Sequence, residues 1–165
     1  HMSGQGNLSA THDVTERLSW YLFAPVSDKR PTYLQGQAAM KEACSNCHTQ
    51  QHTNEYYEDA EAVVRATNDK VETFMELAQK LRDEGVLSEQ PFDEELEFVI
   101  FDYWHYYGRT AKHGAFMNGA DYVQWHGNYE LLHYWVKLRD AAKKNGISVD
   151  EYDIGYKTPS ASSSK

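Results

Sequence analysis

A chain of 165 residues with 41% hydrophobic content is sized for one soluble domain with a modest core, and it holds no apolar run long enough to cross a bilayer. Its 25 acidic and 16 basic side chains give a formal charge of −9, and the two signs are interspersed, which argues against the clustered basic face of a nucleic-acid binder. The two cysteines stand three residues apart, so no long loop is closed by a disulfide.

The first two residues, His1 and Met2, read as a cloning remnant, and the residues after them lack the basic, apolar and small-residue succession of a signal peptide. Residues 1–10 are read as remnant and linker, on a chain expected to begin inside a longer parent protein. Thr11 is placed to cap a short helix through about Phe23, with Val14, Leu18 and Leu22 on one face, until Pro25 and Pro31 interrupt the pattern. After a linker to about Thr32, the composition from Tyr33 to about His48 predicts a second short helix.

The stretch from about Asn54 to Arg82 carries Val64, Thr67, Val71, Phe74, Ala78 and Leu81 on alternating three- and four-residue steps, the spacing of one buried stripe. Gly85 is placed to stop it. Ser88 and Pro91 read as the cap and first turn of a third helix, lined by Leu96, Ile100, Tyr103 and Tyr107, with Gly108 and Gly114 as weak points before a break at Asn118-Gly119. A fourth helix is expected from about Asp121 to Lys144, with Trp125, Tyr129, Leu132 and Val136 on its apolar face and Gly146 as its stop. The serine-rich tail from Ser148 is expected to be flexible. With no strand alternation and no internal repeat, the fold class is all-α: a bundle of three long helices with shorter N-terminal ones, in a domain spanning residues 11–147.

One motif carries chemistry. Cys44-Ser45-Asn46-Cys47-His48 is a Cys-x-x-Cys-His sequence, in which two thiols add across the vinyl groups of a haem and the adjacent imidazole ligates its iron. Three other readings compete: a thioredoxin-like pair, which would follow a strand, a zinc half-site, which would need two further ligands of which His52 is one candidate, and a chance pair of buried cysteines. One covalent haem c, bound by Cys44, Cys47 and His48, is the expected cofactor. For the sixth iron position His12, His52, His105, His113, His126 and His133 are all available, although an unassigned helical histidine is more often a polar core or surface residue. Met40 is too near the motif to serve, and Met75 and Met117 read as core filler.

Three stretches together resemble a known family: Thr11-His12-Asp13-Val14 with Arg17-Leu18-Ser19-Trp20; the haem motif; and Gly108-Arg109-Thr110-Ala111-Lys112-His113-Gly114 followed by Asp121-Tyr122-Val123-Gln124-Trp125-His126-Gly127. From about Thr11 to Gly146 the chain resembles the last haem motif and closing helices of hydroxylamine oxidoreductase and the related hydrazine dehydrogenase. The resemblance implies an octahaem parent that assembles as a trimer, oxidises small nitrogen compounds and passes electrons along bis-histidine haems. It also implies that Tyr122 matches the tyrosine cross-linked to a catalytic haem of a neighbouring subunit, and that His12 and either His113 or His126 are distal ligands to haems bound elsewhere. The departure is large, since this chain has one haem motif where the family has eight, so catalysis by this part alone is not expected.

Three functions stand as expectations. The first is an electron-transfer module with a redox partner protein or further haem subunits. The second is part of an oxidoreductase acting on hydroxylamine or hydrazine, with Tyr122 at the reactive haem. The third is a helical module for assembly, such as a homotrimer. No nucleic acid and no membrane span are expected, and the chemistry of haem attachment implies a periplasmic or equivalent compartment.

Overall fold

The computed structural model describes residues 33–155 except Asn118. The helix expected from Thr11 to Phe23, with His12, lies outside the described residues. Every regular element among the described residues is helical: α1 Tyr33–Cys44, α2 Gln50–Asp83, α3 Glu95–Phe101, a π-helical segment π1 Asp102–Tyr107, α4 Gly108–Phe116, α5 Ala120–Val123, a second π segment π2 Gln124–Asn128, and α6 Tyr129–Lys144. The backbone runs without a break over residues 95–116 and again over 120–144, so the described residues form four continuous helices. The all-α class is observed. Of the expected shorter N-terminal helices, α1 alone falls among the described residues.

The chain divides into two compact units, His1–Ala62 and Val63–Lys165, and α2 runs through both. In the first unit the buried positions of α2 recur at three- and four-residue steps as Thr53, Tyr57 and Ala60. From α1, the Gln37 amide donates to the Glu61 carboxylate, and the Lys41 ammonium lies 4.8 Å from the centre of the Tyr57 ring. α2 starts at Gln50, earlier than its apolar pattern suggests, because Thr49 caps it: the Thr49 Oγ1 accepts the His52 amide at 3.2 Å.

In the second unit the expected stripe of α2 is buried, with Thr67, Phe74, Ala78 and Leu81 at 1% exposure or less. Phe74 stacks on Tyr103 of π1 with ring centres 3.6 Å apart and meets Trp135 of α6 at 6.4 Å. Truncating such a buried aromatic typically costs about 3–5 kcal/mol, so this trio is the pivot of the core. Both expected glycine stops are present. Gly85 and Gly146 have φ of +71° and +76°, and the residues after them bond back in the same pattern: Val86 donates to Leu81 at 2.9 Å, and Ile147 to Ala142 at 3.0 Å.

Several expectations are corrected. Trp125 and Tyr129 do not face the core: they are 64% and 56% exposed, and the buried series is Val123, Gly127, Leu131, Trp135, Leu138 and Ala142. π2 spends more residues per turn than an α-helix, so positions counted at α spacing slip off the inner face. Gly108 and Gly114 are points of close approach rather than weakness. A Cβ on Gly114 would lie 2.8 Å from Val123 Cγ2. Ser88 and Pro91 lie in a turn before α3, where the Ser88 hydroxyl bonds the Asp93 carboxylate at 2.8 Å. The helix itself starts at Glu95, and the buried Glu97 reaches back to the Asp93 amide at 3.0 Å while facing Arg82 at 3.4 Å. Met75 and Met117 are 38% and 62% exposed and do not fill the core. The segment after Ser148 packs as far as Ile154, with Val149 and Ile154 buried in the main cluster.

Candidate functional site

α1 ends on Cys44, whose carbonyl accepts the amides of Cys47 at 3.1 Å and His48 at 2.9 Å. These bonds prolong the helical winding by one turn, so thiols three residues apart come to the same side of the chain. The two intervening residues are tied back to the helix end, Ser45 Oγ to the Glu42 carbonyl at 2.6 Å and Asn46 Nδ2 to the Ala43 carbonyl at 3.0 Å. Cys44 is half-buried and Cys47 exposed, and both are free thiols.

His48 is exposed, immediately before the cap of α2, and its ring stacks on that of His52 with centres 4.9 Å apart. One turn further on, burial raises the Tyr56 phenol above its ordinary value, and the Cys44 sulfur adds to the effect. Beside the turn lies a hollow of about 320 Å³ lined by Lys41, Glu42, Ser45, Gln50, Thr53 and Asn54. His52 and Tyr56 are thus part of the site, and the signal for them was present in the four-residue steps His48, His52, Tyr56. Among the described residues no three or more His, Cys, Asp or Glu side chains are gathered as for a metal ion. Chemically, the turn offers two reachable sulfur nucleophiles and one imidazole within five residues, the donor set that a covalent haem requires.

The remaining candidates among the described residues lie in the second unit. His113 on α4 is half-buried, and its pKa is lowered by burial and by the Arg109 and Lys112 cations, against a raising hydrogen bond with the Arg109 backbone. Tyr122 and His126 are brought together on the outer face of α5 and π2, with ring centres 5.1 Å apart. His105 stacks on Phe101 at 4.6 Å, and His133 lies 3.5 Å from Glu130. His105 and His126 each follow a tryptophan inside a π segment, a pairing that the residue pattern alone did not single out.

Two further features gave no signal in residue type. Lys112 is 5% exposed, and burial, with Arg109 beside it, lowers its pKa to about 8. Tyr134 donates to the Asp102 carboxylate at 3.4 Å, and burial, with the Tyr107 hydroxyl and Asp102 adding, holds its phenol well above the usual range.

The chain matches no protein-family model, no curated protein and no solved structure. No described helix is long and apolar enough to cross a membrane.

Proposed function

We propose that the chain is a c-type cytochrome domain that transfers electrons, with haem held through thioethers to Cys44 and Cys47 and its iron ligated by His48. The observation that carries this reading is the Cys44–His48 turn itself, wound in helical fashion with Cys44 half-buried, Cys47 exposed and the imidazole following directly. Haem bound there would supply one-electron exchange at iron. The chain's own residues do the positioning: Ser45 and Asn46 anchor the turn to α1, Thr49 fixes the start of α2, and the His52 ring against His48 limits rotation of that imidazole.

By its resemblance the domain is the C-terminal haem module of a hydroxylamine oxidoreductase-like multihaem protein. A redox partner or further haem subunits, a trimeric assembly and an extracytoplasmic location belong to the same proposal. One observation favours the second reading, participation in oxidation of hydroxylamine or hydrazine: Tyr122 is 47% exposed beside His126, open to a haem carried by another segment or subunit.

The test is a pyridine haemochrome spectrum of protein made in a host with haem-attachment machinery, taken after denaturation and solvent extraction. Retained haem with the signature of two thioethers is expected, and Cys47→Ala should shift it to that of one. Haem that extracts freely overturns the reading. His48→Ala should change the native spectrum, whereas Tyr122→Phe should leave it alone.

A further inference from the structure

Phe92 and Phe98 are 51% and 52% exposed, although each packs against another ring. Phe92 lies 5.3 Å from Phe98 and 5.7 Å from Phe101, and the His105 ring stacks on Phe101 at 4.6 Å. The turn before α3, α3 itself and π1 therefore share one contiguous aromatic patch, which differs from the singly scattered apolar side chains of an ordinary surface. Carboxylates border it. The 26 residues from Asp83 to Gly108 contain eight of them and no lysine or arginine, between Arg82 at one end and Arg109 at the other. Glu94 and Glu95 stand one turn before Phe98, on its side of the helix. Glu89 and Glu95 are exposed, and among the described residues neither they nor Glu94 forms an ion pair. Arg82, which reaches this stretch from α2, is taken up by the buried Glu97 at 3.4 Å.

We propose that this patch docks a basic amphipathic segment of another protein, with apolar side chains on Phe92, Phe98 and Phe101 and lysines or arginines against Glu89, Glu94 and Glu95. Apolar contact ringed by opposite charge is the anatomy of a specific but reversible interface, in which the rings supply affinity and the charges select the partner. The same charges disfavour other occupants. A second copy of this chain would set carboxylate against carboxylate, and an anionic membrane would be repelled in the same way. The inference does not rest on the cytochrome reading.

The probe is a synthetic helical peptide with leucine on one face and lysine on the other, titrated into the full chain and followed by amide NMR. Two control peptides replace its lysines by glutamine or its leucines by serine. Saturable shifts concentrated between Glu89 and His105 are expected, with each control binding weaker by roughly tenfold or more and affinity falling as salt is raised. Phe98→Ser should weaken binding by a similar factor. Phe92→Gly should do the same with little change in Tm, because Phe92 holds φ at +60°, which glycine adopts without steric cost. That variant separates loss of the ring from loss of the fold. The proposal is overturned by the lack of a saturable shift, by shifts spread over the acidic surface at large, by a control peptide that binds as well as the probe, or by binding indifferent to both variants. A dimer in sedimentation that Phe98→Ser dissociates assigns the patch to a second copy, and flotation with phosphatidylcholine vesicles that Phe98→Ser abolishes assigns it to lipid. Either result also overturns the proposal.

Discussion

A methyl group on Gly127 would sit 2.7 Å from Ala111 Cβ and 2.9 Å from its Cα, against a buried backbone rather than the end of a flexible side chain. α4 and π2 would have to separate to admit it. Gly127→Ala is therefore expected to cost about 1–3 kcal/mol, read as a lower urea midpoint with the slope unchanged. Tyr134 gives a pH signature. Its phenol is held above the unfolded value, so the folded chain keeps a proton that the unfolded chain gives up above pH 10. Stability from this group is present below pH 10 and falls as pH rises past it. Tyr134→Phe should cost about 0.5–1.5 kcal/mol at neutral pH, and the gap from the wild type should narrow in melts above pH 10. At this scale the Cys44–His48 turn could be singled out in advance because its residue types and their spacing lie along the chain. Lys112 was not, because a lysine in a helix reads as surface, and only the packing of α4 reveals that it is enclosed.

The last long helix carries one exposed aromatic row and one buried row, and periodicity alone favoured the wrong one. Trp125 and Tyr129 open the exposed row, whereas the buried row runs through Gly127, which adds no hydrophobic signal, to Leu131 and Trp135. The buried row advances by four residues at each step from Val123 to Trp135, as a helix widened by π2 requires. Trp125→Ser is expected to change stability by less than about 0.5 kcal/mol, and Trp135→Ser to lose about 3–5 kcal/mol, both by urea unfolding. Equal effects would return Trp125 to the core. α2 was read correctly because nothing interrupts its α spacing, so Thr67, Phe74, Ala78 and Leu81 stay in line. The glycine stops were legible for a local reason: at Gly85 and Gly146 a positive φ selects the residue. The start of α3 was not, because Ser88 spends its hydroxyl on Asp93 within the preceding turn.

The two units differ in what holds them. From Val63 onward a continuous cluster joins Phe74, Leu77, Tyr103, Leu131, Trp135 and Leu138, whereas the described part of the first unit buries Tyr57 and Ala60 among Gln37 and Thr53. Hydrogen exchange on haem-free protein is expected to be slowest in α6 and the second part of α2 and fastest in α1, and covalent haem should slow residues 33–56 most. Uniform protection along the chain would count against this division.

Gly85 and Gly146 line one open hollow of about 650 Å³ together with Lys80 and Asn145, so α2 and α6 finish at the same end. Their peptide dipoles accordingly reinforce one another, each leaving roughly half a negative charge on its last turn. Lys80 and Arg82 on one helix, and Lys143 and Lys144 on the other, sit where they offset that field. On a chain of charge −9 these cations are therefore not exchangeable with others elsewhere on the surface. Reversing Lys143 and Lys144 to Glu should cost about 1–2 kcal/mol at low ionic strength. Most of that loss should return in 1 M salt, where the screening length shrinks to about 3 Å.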